Sequence, residues 1–279
     1  MDRLTLPGLT GDMTEKPILV LGGTGKIGRR VAARLRAAGH PVRVASRSGE
    51  VRFDWTDEST WDAALDGVGP VFVALPEEGG DAAPFVAHAA GRGVTCFVAL
   101  SGRGVEEIGE PSMLGLERAV RESGVDWTIV RAGWFHQNFD EGMLADGVRN
   151  GALEVPVGDG LEPFVDAEDI AEVVATVLAT EGHVGRTYEL SGPRALSFAE
   201  VAEILSGATG RRIEFRDVPA EKYVAGLVAE GVPEDVAKML AEVFAFIRYG
   251  HSEPLADGVQ RVLGRAPRSF EDYAKAVIW

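Results

Sequence analysis

Cysteine is nearly absent. Cys96 stands alone in 279 residues, which excludes an intrachain disulfide framework and any zinc site built from several thiolates. A reducing, cytoplasmic setting is the expectation that follows. Histidine is scarce as well: His40, His88, His136, His183 and His251 are scattered without metal-ligand spacing, so no metal is expected. No apolar run approaches the roughly 20 residues that a bilayer span requires, and no membrane partner is expected. Positive charge is also short. Lys and Arg number 28 against 43 Asp and Glu, a formal net charge of -15, and such a chain is repelled by a phosphate polymer unless its basic groups are concentrated in one patch. Nucleic acid is therefore not an expected partner. The first 16 residues, MDRLTLPGLTGDMTEK, hold no continuous apolar stretch and read as a disordered extension, not a signal peptide.

From Pro17 onward, short apolar runs alternate with amphipathic stretches, the pattern of β-α repeats and of a parallel sheet covered on both faces. Strands are predicted at Ile18 to Leu21, Val42 to Ala45, Val71 to Leu75, Cys96 to Leu100, Trp127 to Val130 and Thr187 to Leu190. The first five are largely apolar, as buried parallel strands are. The first helix carries Ile27, Val31 and Leu35 on one face and ends at Gly39. Others are predicted near 58 to 66, 82 to 92 and 111 to 123, and Asp166 and Asp169 introduce a further helical run from Ile170 to Leu178. Ser191-Gly192-Pro193 stops the last strand. The predicted fold is α/β, a Rossmann-type doubly wound parallel sheet over 17–192, with 133–162 contributing to the substrate pocket. A smaller, mostly helical C-terminal subdomain on the substrate side follows over 193–279. There Ser197 and Glu200 match a capping box, and Pro233 opens a helix reaching Phe244.

The strongest local signal runs from Val20 to Gly28, VLGGTGKIG, between the first strand and the first helix. Gly23, Gly25 and Gly28 satisfy GxGxxG, and Gly22, Gly25 and Gly28 satisfy GxxGxxG. Glycine allows the tight turn, removes Cβ atoms from the path of a pyrophosphate and lets helix and strand pack closely, while the helix N-terminus favours negative charge. Gly22, Gly23, Thr24, Gly25, Lys26 and Ile27 are the expected phosphate contacts. About 20 residues on, where an NAD site places an acid, the chain reads Ser46-Arg47-Ser48. Arg47, with Ser48 or Ser46, suits a 2′-phosphate, so NADP(H) is the expected cofactor. From Lys26 to Arg52 the basic residues Lys26, Arg29, Arg30, Arg34, Arg36, Arg43, Arg47 and Arg52 meet only Glu50, a basic island in an acidic chain; Arg34 and Arg36 read as its solvated helix face. Asp54 and Trp55 are placed near the adenine, Trp55 either packing on the ring or anchoring its loop to the sheet. Leu75, Pro76, Leu100 and Ser101 end further strands and should border ribose and nicotinamide, with Gly133, Trp134 and Phe135 beyond the fifth strand.

Many reductases of this plan use a Tyr whose pKa is lowered by a Lys four residues later. Here the tyrosines are Tyr188, Tyr223, Tyr249 and Tyr273, no lysine lies between Lys26 and Lys222, and the relevant helix begins Pro111-Ser112-Met113-Leu114-Gly115-Leu116-Glu117. Candidate substitutes are Ser101, Glu117, His136 and Asn138, with His136 suited to proton exchange at neutral pH. Glu117 reads as a helix-surface or ion-pairing residue and Cys96 as an inert core thiol. Trp134, Phe135, Phe139 and Met143 are either core or an apolar pocket for a flat substrate. A small-molecule substrate and a monomer or homodimer are expected.

Ile18 to Arg47, the segment TIVRAGWFHQN from Thr128 to Asn138 and the segment VDAEDIA from Val165 to Ala171 resemble the NmrA-like atypical short-chain dehydrogenase/reductases, from about residue 17 to the C-terminus. Val42 to Ser48 followed by Phe53-Asp54-Trp55-Thr56-Asp57-Glu58-Ser59-Thr60-Trp61-Asp62 is similar to the ergot-alkaloid reductase subgroup. The resemblance implies a Rossmann core, NADP(H), and reduction of an iminium, quinone or enone-like group. The family also includes redox sensors that bind dinucleotide without turning it over. Where many relatives carry a charged or hydroxylic catalytic residue near 113 to 117, this chain has Met113 and Leu114.

Overall fold

The computed structural model describes residues 16–76 and 79–279; apart from Lys16, the expected N-terminal extension lies outside them. The first half of the chain runs β1 (Ile18–Leu21), α1 (Lys26–Ala37), β2 (Val42–Ser46), β3 (Val51–Arg52), α2 (Trp61–Leu65), β4 (Pro70–Val73), α3 (Ala83–Gly91), β5 (Cys96–Gly102), α4 (Val105–Ile108), α5 (Pro111–Glu122) and β6 (Asp126–Ala132). Then come α6 (Ala145–Asn150), β7 (Ala152–Val155), β8 (Leu161–Glu162), α7 (Ala167–Ala179), β9 (Arg186–Leu190), β10 (Leu196–Ser197) and α8 (Phe198–Thr209). The chain closes with β11 (Glu214–Asp217), α9 (Ala220–Ala229), α10 (Glu234–Arg248), α11 (Gly258–Leu263) and α12 (Phe270–Ala276).

Seven parallel strands form the central sheet in the order β3-β2-β1-β4-β5-β6-β9. The order reverses between β1 and β4, so the switch point, where such sheets bind ligands, lies beyond the carboxyl ends of these two strands. Alternation along each strand sorts side chains between two cores. Ile18, Val20, Phe72, Val98 and Val130 face α1 and α7, while Leu19, Leu21, Val71, Phe97, Ala99 and Ile129 face α2, α3 and α5. This is why the strands read as continuously apolar. β5 and β6 each run two residues past their predicted ends, in register Ser101 with Arg131 and Gly102 with Ala132, which carries chemistry-bearing residues into the sheet itself.

Two short strand pairs stand among the helices of the C-terminal part. β7 pairs parallel with β11, and β8 pairs antiparallel with β10, Glu162 opposite Leu196. Its aromatic core joins Phe139, Phe164, Phe198, Phe244 and Phe270, so residues 139–164 belong to that core and do more than line a pocket. The Ser197–Glu200 capping box forms as the spacing predicts, and Pro233 is the residue before α10. Arg265 and Arg268 close onto buried Asp169 of α7, Arg265 Nη2 at 2.7 Å and the Arg268 amide at 2.7 Å, fastening the end of the chain to the main sheet's helical layer. No helix among the described residues is long and apolar enough to cross a membrane.

Candidate cofactor and substrate site

The glycine loop leaves β1 at the switch point and enters α1. Gly22 adopts φ +61, a region open to glycine at little cost. A Cβ on Gly23 would stand 2.5 Å from Val44 Cγ1, and one on Gly28 would stand 2.3 Å from the Gly22 carbonyl oxygen. Both glycines are thus required by the packing of loop, β2 and α1, before any ligand is considered. Gly25 is different: it is exposed, and its Cβ would meet only Gly22 O, at 3.1 Å. Gly25 is the N-cap of α1, contributes no side-chain cap, and the first turn holds no acid, so the positive end of the helix is left to solvent or an anion. Thr24 Oγ1 donates to Ser46 Oγ at 3.1 Å and the Gly23 amide to Ala45 O at 3.4 Å, which tie the loop to the end of β2. This chemistry fits a dinucleotide pyrophosphate.

Most of the basic island is already neutralised, by acids remote in sequence. Arg29 and Arg30 pair with Glu141, Arg30 and Arg34 with Glu168, Arg34 with Glu172 and Arg36 with Glu50. Arg43 donates to the carbonyls of Ala64 and Asp66, and Arg52 lies 3.7 Å from Asp57. Lys26 donates to Asn138 Oδ1 at 3.0 Å and sits over the Phe135 ring. Arg47 is exposed at the tip of β2 and has no hydrogen bond or ion pair with a described residue. The island of the sequence is therefore corrected to one uncommitted guanidinium. Nearby, Asp54 accepts from the Thr56 amide and hydroxyl, which hold its carboxyl below the usual aspartate range. Half-buried Trp55 packs edge-on against Phe53 and Phe85, with centroids 5.1 and 5.3 Å away.

At the other end of the edge, α5 opens with the Glu110 carboxylate capping the Ser112 and Met113 amides. Met113 Sδ lies 3.1 Å from where a Gly102 Cβ would be, so a thioether packs at the end of β5. Glu117, expected as a helix-surface or ion-pairing residue, is fully buried and ion-paired. It receives Arg131 Nε at 2.9 Å, Arg131 Nη2 at 2.8 Å and Arg121 Nη2 at 2.8 Å. Burial acts to raise its pKa, but Arg131, Ser101 and Arg121 outweigh it and hold the carboxyl below the usual glutamate value. Ser101 is buried beside this pair. Leu75, Pro76 and Leu100 are half-buried along the edge, as are Gly133, Trp134 and Phe135.

The catalytic candidates His136 and Asn138 are both held by neighbouring groups. His136 is completely buried: Nε2 meets Phe164 O at 2.9 Å, Nδ1 is 3.6 Å from Asp166, and Phe270 and Tyr273 enclose the ring. It is an aromatic core residue that helps hold Asp166, the N-cap of α7, down to about 2 against the opposing effect of burial. Asn138 is engaged by Lys26, tying the 135–141 strap to the phosphate end. Of the apolar quartet, Phe139 is core, Met143 is 45% exposed and Trp134 rests on Phe244 at 4.8 Å. Cys96 is half-buried, its thiol pushed up to about 11 by burial and then by Asp126. Sequence reasoning missed Arg103 and Glu162, which meet beside Gly133: a Cβ there would lie 3.0 Å from Glu162 Oε1 and 3.7 Å from Arg103 Cδ. Arg103 directly follows β5, a usable signal; Glu162 sits in a turn-rich stretch without one.

The model of the NmrA-like family matches residues 14–274. The chain belongs to the NmrA-like family. Among curated NmrA-like relatives, Prestalk A differentiation protein A of Dictyostelium discoideum is 33% identical over 94% of this chain and 92% of its own length. NAD(P)H azoreductase of Xenophilus azovorans is 35% identical, covering 93% and 97%. Agroclavine dehydrogenase of Claviceps fusiformis is 34% identical over 92% and 95%, so the likeness to ergot-alkaloid reductases is present. Among solved structures, Citrobacter sp. triphenylmethane reductase complexed with NADP(H) superposes with TM-score 0.79 at 25% identity, covering 94% of this chain and 100% of that one. NmrA, a negative transcriptional regulator in complex with NADP, shares the fold with TM-score 0.69 at 17% identity, covering 95% and 96%. The chain is a reductase-type, NAD(P)-binding member of this NmrA-like, Rossmann-like group.

Proposed function

We propose that this chain is an NADPH-dependent reductase that acts on a small apolar or aromatic electrophile, an iminium, quinone or enone-like group, without a Tyr-Lys pair. The observation that carries the cofactor preference is Arg47, exposed and uncommitted while the neighbouring arginines are paired. A 2′-phosphate supplies the acceptor that Arg47 lacks, with Ser48 beside it. One hydrogen bond to a charged group contributes about 1.5–3 kcal/mol, a preference for NADPH over NADH of about 10- to 100-fold. Gly22, Gly23, Thr24, Gly25, Lys26 and Ile27 hold the pyrophosphate, Asp54 and Trp55 flank the adenosine end, and Leu75, Pro76, Leu100 and Ser101 border the ribose and nicotinamide.

When bound, the cofactor supplies hydride. Gly133, Trp134 and Phe135 form the opposite wall, and the Trp134 ring backed by Phe244 keeps water from the reacting carbon. An iminium accepts hydride at carbon while its π pair moves to nitrogen, so the protein has no proton to deliver. A quinone or enone needs one proton in addition, and Ser101 is the catalytic candidate left at that edge. A second reading, a non-enzymatic NADP(H)-responsive regulator, is favoured by the burial of His136 and the engagement of Asn138, which remove two proton-handling groups from the edge.

Tryptophan fluorescence titrations with NADPH and NADH test the cofactor reading: Arg47→Ala should lose the preference with its melting temperature unchanged. Equal affinities in the parent chain refute it. NADPH absorbance followed against panels of quinones, cyclic imines and conjugated ketones separates reductase from regulator. No turnover, with unequal affinity for NADP+ and NADPH, favours the regulator.

A further inference from the structure

Beside the Gly133–Trp134 loop lie buried Glu162 and half-buried Arg103, ionisable side chains that the proposed chemistry does not use. Glu162 on β8 is 1% exposed, and its Oε1 accepts the Trp134 amide at 3.2 Å. Its Oε2 is buried without a partner, a position where a neutral carboxyl is tolerated and a carboxylate is costly. Arg103 sends Nη2 to Pro254 O at 2.5 Å, but its buried Nε and Nη1 have no hydrogen-bond acceptor. An unmatched acceptor and unmatched donors thus flank Gly133, where a Cβ would crowd Glu162 Oε1 at 3.0 Å and merely touch Arg103 Cδ at 3.7 Å.

We propose that Glu162 is a positioning residue for the Gly133–Trp134 loop: neutral, it holds the loop through the Trp134 amide, and ionised, it turns toward Arg103 and shifts that loop. The proposal rests on the reading above in that the same loop walls the nicotinamide and substrate. The groups that face Glu162 are few. The β5–α4 connection brings Arg103, the connection after α10 brings Ser252, the strap brings the Trp134 amide, β10 brings Leu196 across the register, and α10 packs along β8. One carboxylate further out, Glu189, stands 3.7 Å from Arg103 Nε and competes for it. Burial dominates, pushing Glu162 up to about 7 against Ser252, the Trp134 amide and Arg103. The carboxyl therefore changes charge within the range where such a reductase is assayed.

The test compares the full parent chain with Glu162→Gln, which keeps an acceptor for the Trp134 amide but stays neutral, and with Trp134→Phe. Tryptophan emission of the cofactor-free proteins is followed from pH 5.5 to 8.5. The parent is expected to show a step near pH 7 that both variants lack. With NADPH and a benzoquinone as probe, the parent kcat should change about tenfold across the same step with KM for the quinone nearly constant, the effect of about 1.4 kcal/mol of loop bias, and the Glu162→Gln profile should be flat there. A step that persists unchanged in Glu162→Gln overturns the proposal. If NADPH does not bind, or no quinone, cyclic imine or conjugated ketone is reduced, the functional reading fails, and the emission step alone decides this one.

Discussion

The two ends of the sheet's carboxyl edge are built on different terms. At the phosphate end, Gly22 to Gly28 and Arg47 lie within one β-α-β unit, and backbone geometry does most of the work. At the proposed reacting end, Ser101, Glu117, Arg131, Arg103, Glu162 and Trp134 come from four separate stretches and are held by buried charge. The first end is locally encoded; the second is assembled from residues remote in sequence. The largest expected effect tests the backbone half. Gly28→Ala forces a Cβ to within 2.3 Å of Gly22 O and 2.8 Å of Gly22 C, and backbone cannot swing aside, so it should destabilise the fold by about 3 kcal/mol or more. Gly25→Ala meets one atom at 3.1 Å on an exposed residue, and should keep its melting temperature within a few degrees while weakening NADPH binding. If both variants melt alike, the loop's glycines serve the ligand alone and the contrast with the reacting end disappears.

The reacting end is tested by pH. The Glu162 carboxyl lies at about 7 in the fold, above its value of roughly 4.3 in an unfolded chain. A raised carboxyl contributes its full stability while protonated in both states, below about pH 4, and loses it as pH rises through about 7. Relative to Glu162→Gln, the parent should therefore be weakened by up to about 3 kcal/mol at pH 8 and by much less at pH 5. Urea unfolding at the two pH values measures this. An equal difference at both would mean that the carboxyl is ionised throughout, and the reacting end would then resemble an ordinary paired surface.

What the sequence discloses follows the same division. Strand positions, α1, the Ser197 cap and the switch-point loop are legible because each is written in adjacent residues: apolar runs, a Ser three residues before a Glu, glycines at set intervals. Arginine pairing is not legible. Arg30 and Arg34 look free beside Glu50 alone, yet Glu141, Glu168 and Glu172 reach them across more than 100 residues. His136 misleads for a related reason. Its place just after β6 suggests the reacting edge, but the strap turns inward there, and Phe164 O and Asp166 take the ring into the aromatic core. Glu117 shows the same limit: a helical i,i+4 pattern announces Arg121, while burial and Arg131 come from the neighbouring strand.

The smallest expected effect is the sharpest check on the phosphate end, because it separates a contact from a field. Arg36→Ala and Arg47→Ala remove the same charge from the same island. Arg36 pairs with Glu50 at 2.5 Å, with the two side chains 46% and 58% exposed. Such a pair contributes less than about 0.5 kcal/mol after screening. Arg36→Ala should thus leave stability and NADPH affinity nearly unchanged at 0.15 M salt. Arg47→Ala, by contrast, should lose NADPH affinity and leave NADH affinity untouched. Equal losses from both substitutions, shrinking together as salt is raised, would assign the cofactor preference to the summed positive potential and not to a hydrogen bond from residue Arg47. The phosphate end would then depend on distributed charge, as the reacting end depends on distributed burial.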